Sequence, residues 1–521
     1  MTHSGFLLRF CLPFSIVAIS IYFLASVSFL LHQNLWVDES TQLSGITLSY
    51  VDIARWLSGA MAHPFPVPAD RMPLLAYYWQ KTWSLLLGSD VTIMRLSSLV
   101  CVTVALVTMT AYFLQHTKRR YLYAALLFLC LSPNLVVYGV EIRAYALFYL
   151  WATIAAVIFL DLVASGSDAK YPGIKLMGLA VTLGLAMNTH FFGVVLTASM
   201  GLSYLGIWFV ERRVWLSVPA AVGVALIVLV ASMAAAPFVL AAMTLSGGGD
   251  QASLSATIRS AIQLIYRLIA HQSMAEIVIA PWVAGAAVYM TIAASLIFHP
   301  SREKIAFVLV LGIGYMVALL AAFIVGGFNP LAPHYNVWML PCLAILFTYC
   351  VADLPLRLRL VVLLLLVSST GVGQWHMVTQ GDKYAHTRFH EVERRVDEYA
   401  SDGKVSIVYA QDRGHTWFAG AYRYHVAEDH PSIRQYVKTD HGFEDLLTND
   451  LSTSLQISLG TDTIVVVSGK IINSSTLVTF GNKASNNKLN TGRCACPYTV
   501  SLGLCYCFGS ALARWHLLSF T

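Results

Sequence analysis

Long apolar runs, each interrupted by a short polar or basic stretch, follow one another from the N-terminus to about residue 378 and then stop. Runs of about 17 to 25 apolar residues can cross the hydrocarbon as helices, which satisfy their own backbone groups. The pattern predicts spans near 6–31, 93–115, 121–138, 142–163, 174–189, 191–210, 214–243, 276–298, 305–326, 335–353 and 357–377, about eleven in all. Between the first two spans the period changes. From Thr41 to Met61, Leu43, Ile46, Leu48, Val51, Ile53, Ala54 and Leu57 leave Asp52, Arg55 and Ser58 on a polar side, which predicts one amphipathic helix lying in the interface. His63 to Arg71 is too rich in proline to be regular, and Met72-Pro-Leu-Leu-Ala-Tyr-Tyr-Trp79 then opens a second interfacial helix with Pro73 near its first turn.

Beyond about Gly381 the pattern is that of a soluble domain. Arg388 to Tyr399 reads as a charged helix, and Lys404–Ala410 and Asp462–Gly469 read as buried strands. Asn473 to Arg493 is polar and reads as loosely ordered. The expected fold class is a polytopic α-helical membrane module over 1–380, followed by a small extracytoplasmic α/β domain over 381–521.

Composition agrees: 57% of the 521 residues are hydrophobic and 12% charged, where a soluble domain carries roughly a quarter charged residues. The formal net charge of +6 matters by position. Lys118-Arg119-Arg120, Lys170 with Lys175, Arg212-Arg213, Arg302 with Lys304, and Arg357 with Arg359 all fall on one side of the membrane if the N-terminus is inside. Basic residues near short loops stay in the cytoplasm. The 32–92 loop, the 139–141 turn, the turn at His190, the 244–275 and 327–334 loops and the C-terminal region then face outward. The opening segment resembles a signal peptide, but no small-residue cleavage site precedes Trp36 convincingly, so it reads as an uncleaved first helix. Of nine cysteines, Cys11, Cys101, Cys130, Cys342 and Cys350 fall in spans as small apolar packing residues. Cys494, Cys496, Cys505 and Cys507 form two C-x-C pairs in the exported tail, where disulfides are favoured over a zinc site and the connectivity stays open.

The candidate chemistry gathers on the outer side. Asp38 and Glu39 follow the first span directly, and His63, Arg71, Glu141, Arg143, His190 and His334 lie on the same face under a topology chosen from Lys and Arg alone. Taken singly, a histidine at a turn is more often a hydrogen-bonded residue than a ligand, and Glu141 with Arg143 has a plain reading as boundary charge. Together they point to a reaction at the membrane surface. A membrane transporter of a lipid-linked or small polar solute is the alternative, but the spans carry almost no central charge of the kind that transport sites use. A structural or assembly protein would have no reason to gather acids at one mouth. No nucleotide-binding glycine loop is apparent, and no nucleic-acid partner is expected.

Several motifs recur in order: Trp36-Val-Asp38-Glu39, Met72-Pro-Leu-Leu-Ala-Tyr-Tyr-Trp, Gly88-Ser-Asp followed by Arg95-Leu, Ser132-Pro with Tyr138, Glu141, Arg143 and Tyr145, and His190-Phe-Phe-Gly. Over roughly residues 6 to 353 this order resembles the GT-C superfamily of membrane glycosyltransferases, particularly the branch containing protein O-mannosyltransferases and the lipid A aminoarabinose transferase. The resemblance implies transfer of a sugar from a polyprenyl phosphate to an extracytoplasmic acceptor at a bacterial inner membrane. It implies Asp38 as the base that takes the acceptor's proton and Glu39 as its support. Arg143, Arg71 and His334 become candidates for phosphate contact, and Tyr138, Glu141, His190 and Tyr335 join them as substrate-binding candidates. Glu141 and His190 are the candidate ligands should a divalent metal ion take part. The chain departs from the pattern twice: His334-Tyr335 stands where the family often has an arginine before the aromatic, and the second loop acid expected beside a proline is not evident.

Overall fold

The computed structural model describes residues 3–33, 37–63, 69–70, 72–115, 119–166, 170–211, 217–246, 254–269, 280–324 and 329–379, with five strands nearer the C-terminus. The helices are α1 (His3–His32), α2 (Val37–Ile46), α3 (Tyr50–Leu57), α4 (Leu74–Leu87), α5 (Val91–Gln115), α6 (Arg119–Cys130), α7 (Pro133–Val140), α8 (Tyr145–Ser165), α9 (Pro172–Thr189) and α10 (Phe192–Glu211). They continue as α11 (Val218–Ser246), α12 (Leu254–Arg267), α13 (Ala280–Phe298), α14 (Arg302–Ile324), α15 (Met339–Asp353) and α16 (Leu356–Thr379). Among the described residues seven helices are long and apolar enough to cross a membrane alone, and the pair α6–α7 makes an eighth if counted as one span. The shorter α9, α13 and α15 occupy the remaining expected positions. This is an integral membrane helical bundle.

Two local expectations change. The span expected over 121–138 is broken between α6 and α7 by a bend of 60°. Pro133 explains it, since its ring removes a backbone donor and clashes with the preceding turn. The single interfacial helix expected from Thr41 to Met61 is two helices, α2 and α3. Ser49 ends the first arrangement and starts the second: its hydroxyl accepts from the Asp52 N–H at 3.1 Å as an N-cap.

The bundle is organised on α8, which packs against α5, α7, α9, α10, α14 and α15 and is buried along most of its length. Ala152, Ala155 and Ala156 on it are fully buried, and small residues of this kind let helices approach closely in a membrane. At one end, basic side chains satisfy terminal helix carbonyls: Arg302 donates to Val163 O at 3.1 Å, and Arg359 to Ala352 O at 2.7 Å. Lys304 pairs with Asp353, and Lys175 with Asp161. These are residues the charge pattern assigns to the inner side.

The chain divides into two compact units, Met1–His386 and Thr387–Thr521. The second contains a sheet of β1 (Val405–Ala410), β2 (Arg434–Thr439), β3 (Gly442–Asp445), β4 (Leu451–Ser452) and β5 (Asp462–Val467) in the order β4-β3-β2-β1-β5. The two strands expected from sequence, β1 and β5, pair in parallel with Val405 opposite Asp462, and β2 flanks β1 in parallel on its other edge. The helix expected at 388–399, the polar stretch 473–493 and the four tail cysteines lie outside the described residues.

Candidate active site

Glu39 and Arg95 form the anchor of the site. Both are buried, and Arg95 Nε and Nη2 donate to the two Glu39 carboxylate oxygens at 3.1 and 2.8 Å. The third nitrogen, Nη1, donates to the Leu30 and Gln33 carbonyls at 3.2 and 2.7 Å. Glu39 Oε1 also accepts from the Ile142 amide at 3.0 Å. One guanidinium–carboxylate pair therefore joins the end of α1, the first turn of α2, the start of α5 and the elbow between α7 and α8. The Gly88-Ser-Asp motif places Arg95: Gly88 ends α4 at a φ of 101°, and Asp90 Oδ1 caps α5 by accepting from Thr92 N at 2.8 Å.

Asp38, one residue earlier, has a different environment. Its side chain is 24% exposed and faces Arg143 Nη2 at 3.6 Å. Arg143 Nη1 donates to Asp70 Oδ2 at 2.7 Å, and Tyr77 Oη donates to the same oxygen at 2.7 Å. Asp38, Asp70, Arg143 and Tyr77 thus form one cluster drawn from α2, the proline-rich loop, the α7–α8 elbow and α4. Burial opposes the Arg143 charge, but the two aspartates outweigh it and hold its pKa well above the usual range. The close approach of α2 to α4 depends on Gly45, where a Cβ would strike the Tyr77 and Trp56 rings. His63 belongs to this support: its Nε2 lies 3.1 Å from Ser44 O and its ring packs edge-on against Trp56.

A second cluster lies beside the first. The His190 ring stacks on Phe148 at 4.9 Å and 11°, with Tyr145, Phe192 and Tyr335 at 5.7, 5.8 and 5.8 Å. His334 lies 5.4 Å from Tyr145 and 5.9 Å from Tyr138. Glu141 is fully buried at the end of α7, where its carbonyl accepts from Ser98 Oγ at 2.6 Å. Tyr145 interacts electrostatically with Arg143, Tyr335, Asp38 and Glu141, so the acidic and aromatic clusters are continuous. Of the expected residues, Asp38, Glu39, Glu141, Arg143, Tyr138, His190, His334 and Tyr335 come together here. Arg71 lies outside the described residues.

No protein-family model matches the sequence, and no curated protein matches it significantly. The architecture does have counterparts. ArnT from Cupriavidus metallidurans bound to undecaprenyl phosphate matches with a TM-score of 0.51 at 14% identity, over 82% of this chain and 93% of that one. Its apo form gives 0.52 at 12% identity over the same shares. The chain shares the fold of ArnT. An oligosaccharyltransferase from Archaeoglobus fulgidus, in complex with Zn and sulfate, matches at a TM-score of 0.43 and 11% identity, over 78% of this chain and 61% of that one.

Two further residues beside these clusters, Asp70 and Arg267, are not among the residues expected to carry the chemistry. Asp70 pairs with Arg143, and its signal in the sequence is the order Asp70-Arg71-Met72-Pro73, an acid just ahead of the proline that precedes α4. Arg267, at the end of α12, interacts electrostatically with Tyr138, and its Nε is buried without a hydrogen-bond partner among the described residues. Asn134 Nδ2 holds the Arg267 and Leu268 carbonyls, which ties α12 to α7. The fit to a divalent cation is poor. No three His, Cys, Asp or Glu side chains converge among the described residues, and the Arg143 guanidinium already bridges Asp38 and Asp70. His190 Nδ1 accepts from the Phe192 amide at 3.1 Å, so its other nitrogen carries the proton and is no metal ligand in that tautomer.

Proposed function

We propose that this protein is an integral membrane glycosyltransferase that moves a sugar from a polyprenyl-phosphate donor to an acceptor outside the cytoplasm. The observation that carries the reading is Asp38, a partly exposed carboxylate steered by Arg143, at the mouth of a bundle with the fold of an enzyme whose structure holds undecaprenyl phosphate. Asp38 is the base. Asp70 already takes hydrogen bonds from Arg143 and Tyr77 on one oxygen and is 10% exposed, which suits it to hold the arginine rather than to receive a proton.

In the proposed reaction the acceptor hydroxyl gives its proton to Asp38 as its oxygen bonds the anomeric carbon. The anomeric C–O bond to phosphate breaks, and the lipid phosphate leaves with that electron pair. Arg143 pairs with Asp38 and orients it. Glu39, held by Arg95, supports the strand of chain that carries Asp38 and takes no proton itself. The departing phosphate needs cations; Arg267, whose Nε is buried without a hydrogen-bond partner among the described residues, and Arg71 are the candidates. Tyr138, Tyr145, His334 and Tyr335 supply the walls. The envelope glycans, lipids or proteins outside a bacterial inner membrane are the acceptor class, and the region from 381 onward is proposed as a separate domain on that side.

The deciding experiment is transfer by the purified full chain in detergent from polyprenyl-phosphate-linked sugars, alongside mass spectrometry of envelope glycans from cells with and without the protein. Sugar transfer that disappears in Asp38→Asn is the expected result. No transfer from any lipid-linked donor, together with solute flux in vesicles, would replace the reading with transport.

A further inference from the structure

The His190 side chain is held so firmly that its chemistry is defined before any ligand arrives. The residue ends α9 with an extended backbone (φ −150°, ψ 142°), and its amide donates to Ala186 O at 3.0 Å. The next turn folds back over it: Phe192 N donates to Nδ1 at 3.1 Å, and Gly193 N donates to the His190 carbonyl at 2.8 Å. Gly193 allows this turn, because a Cβ there would overlap the Ala186 backbone. An amide donor on Nδ1 leaves the ring neutral with its proton on Nε2. Burial lowers the pKa to about 3, with His334 and Arg143 adding to the effect, so the ring stays neutral over the physiological range.

That leaves a donor with nothing to donate to. His190 is 1% exposed, and Nε2 has no hydrogen-bond partner among the described residues. Buried donors in folded proteins are nearly always satisfied, so an orphan here calls for a partner, whether a water, an ion or a ligand. The surroundings define that partner. Phe148, Tyr145, Phe192 and Tyr335 present aromatic rings, and Arg143, the cation whose charge bears on His190, is committed to Asp38 and Asp70. His334 and Tyr335 are half-buried, so the cluster reaches the surface on their side. A cluster of aromatic faces with one placed neutral donor suits a ligand that is uncharged, apolar on its faces and rich in hydroxyls at its edge.

We infer that His190 Nε2–H donates to one hydroxyl of the transferred sugar and so sets which sugar the protein accepts. This rests on the glycosyltransferase reading above. It makes His190 a specificity residue and gives it neither a metal nor a proton to carry.

The test uses the full chain in detergent with a polyprenyl-phosphate-linked hexose as donor, and matching donors that each lack one sugar hydroxyl. The wild-type chain loses about 100-fold or more in kcat/KM on one member of the set, because a site built to bond a hydroxyl rejects the analogue without it. His190→Phe, which keeps a ring on Phe148, loses a similar factor on the parent donor and nothing further on that member. His190→Gln, which restores an N–H, recovers part of the loss. Wild-type indifference to every missing hydroxyl, or a His190→Phe that still discriminates, overturns the inference. A second readout does not need turnover: nitrogen spectra of the histidine-labelled chain show the Nε2–H tautomer unchanged between about pH 5 and 8, whereas a ring titrating near its ordinary pKa overturns it. Transfer from no lipid-linked sugar brings down the functional reading and the sugar ligand together; retained transfer without hydroxyl dependence removes only the role of His190.

Discussion

Asp38 and Glu39 are adjacent in the chain and opposite in circumstance. Glu39 is fully buried with both oxygens engaged, whereas Asp38 is partly open and faces Arg143. Asp38→Asn should therefore lower transfer by roughly 10²- to 10⁴-fold, the usual worth of a positioned acid or base. Its thermal unfolding in detergent should stay close to wild type. Asp70→Asn should affect both rate and acceptor binding, because it loosens Arg143 and Tyr77 together; steady-state kinetics of the two variants separates the roles. His190 carries a stability consequence of its own. Its pKa falls from 6.5 to about 3 on folding, so below 6.5 the unfolded chain takes up a proton that the native ring refuses. The stability it contributes is present above 6.5 and lost as the pH falls towards 3. His190→Gln should flatten the acid-side decline in melting temperature over that window.

At the level of elements, the site is a meeting of helix ends rather than a surface of any one helix. The Glu39–Arg95 pair ties α1, α2, α5 and the α7–α8 elbow, and removing one partner strands a buried charge. Glu39→Gln should lower stability by about 3–5 kcal/mol, within the range for broken buried pairs, and reduce transfer indirectly. Combining it with Arg95→Met should cost less than the sum of the two single changes, measured as a double-mutant cycle on thermal unfolding. A Glu39→Gln variant that melts like wild type would argue against the anchor. The spacing of Gly88, Asp90 and Arg95 shows why such a pair is hard to foresee. The caps are local and readable from the chain, but the carboxylate that Arg95 meets lies 56 residues away. Ser49 and Pro133 likewise announce their breaks locally, as an N-cap and a missing donor.

For the molecule as a whole, the basic residues at one end of the bundle and the acidic and aromatic cluster at the other carry the proposed orientation. Leu87, at the end of α4, and Leu356, at the start of α16, are both well exposed. With the four tail cysteines replaced, a membrane-impermeant maleimide should label Leu87→Cys but not Leu356→Cys in intact cells. The opposite pattern would turn the protein over in the membrane and place the proposed chemistry on the cytoplasmic side.

The sequence alone determined the membrane character, the order of the spans, the two strands β1 and β5, and most of the residues that gather at one mouth of the bundle. Apolar length, charge asymmetry and strand period are local properties that survive without knowledge of neighbours. Only the tertiary structure decided which acid is buried and which is open, that Asp70 joins Asp38 on Arg143, and that His190 faces the site as a fixed neutral donor. Those outcomes depend on contacts between groups tens to more than a hundred residues apart, such as Arg143 with Asp70 and Ile142 with Glu39. Burial and pairing, which set the chemistry of a carboxylate or an imidazole, come into being when the chain is packed.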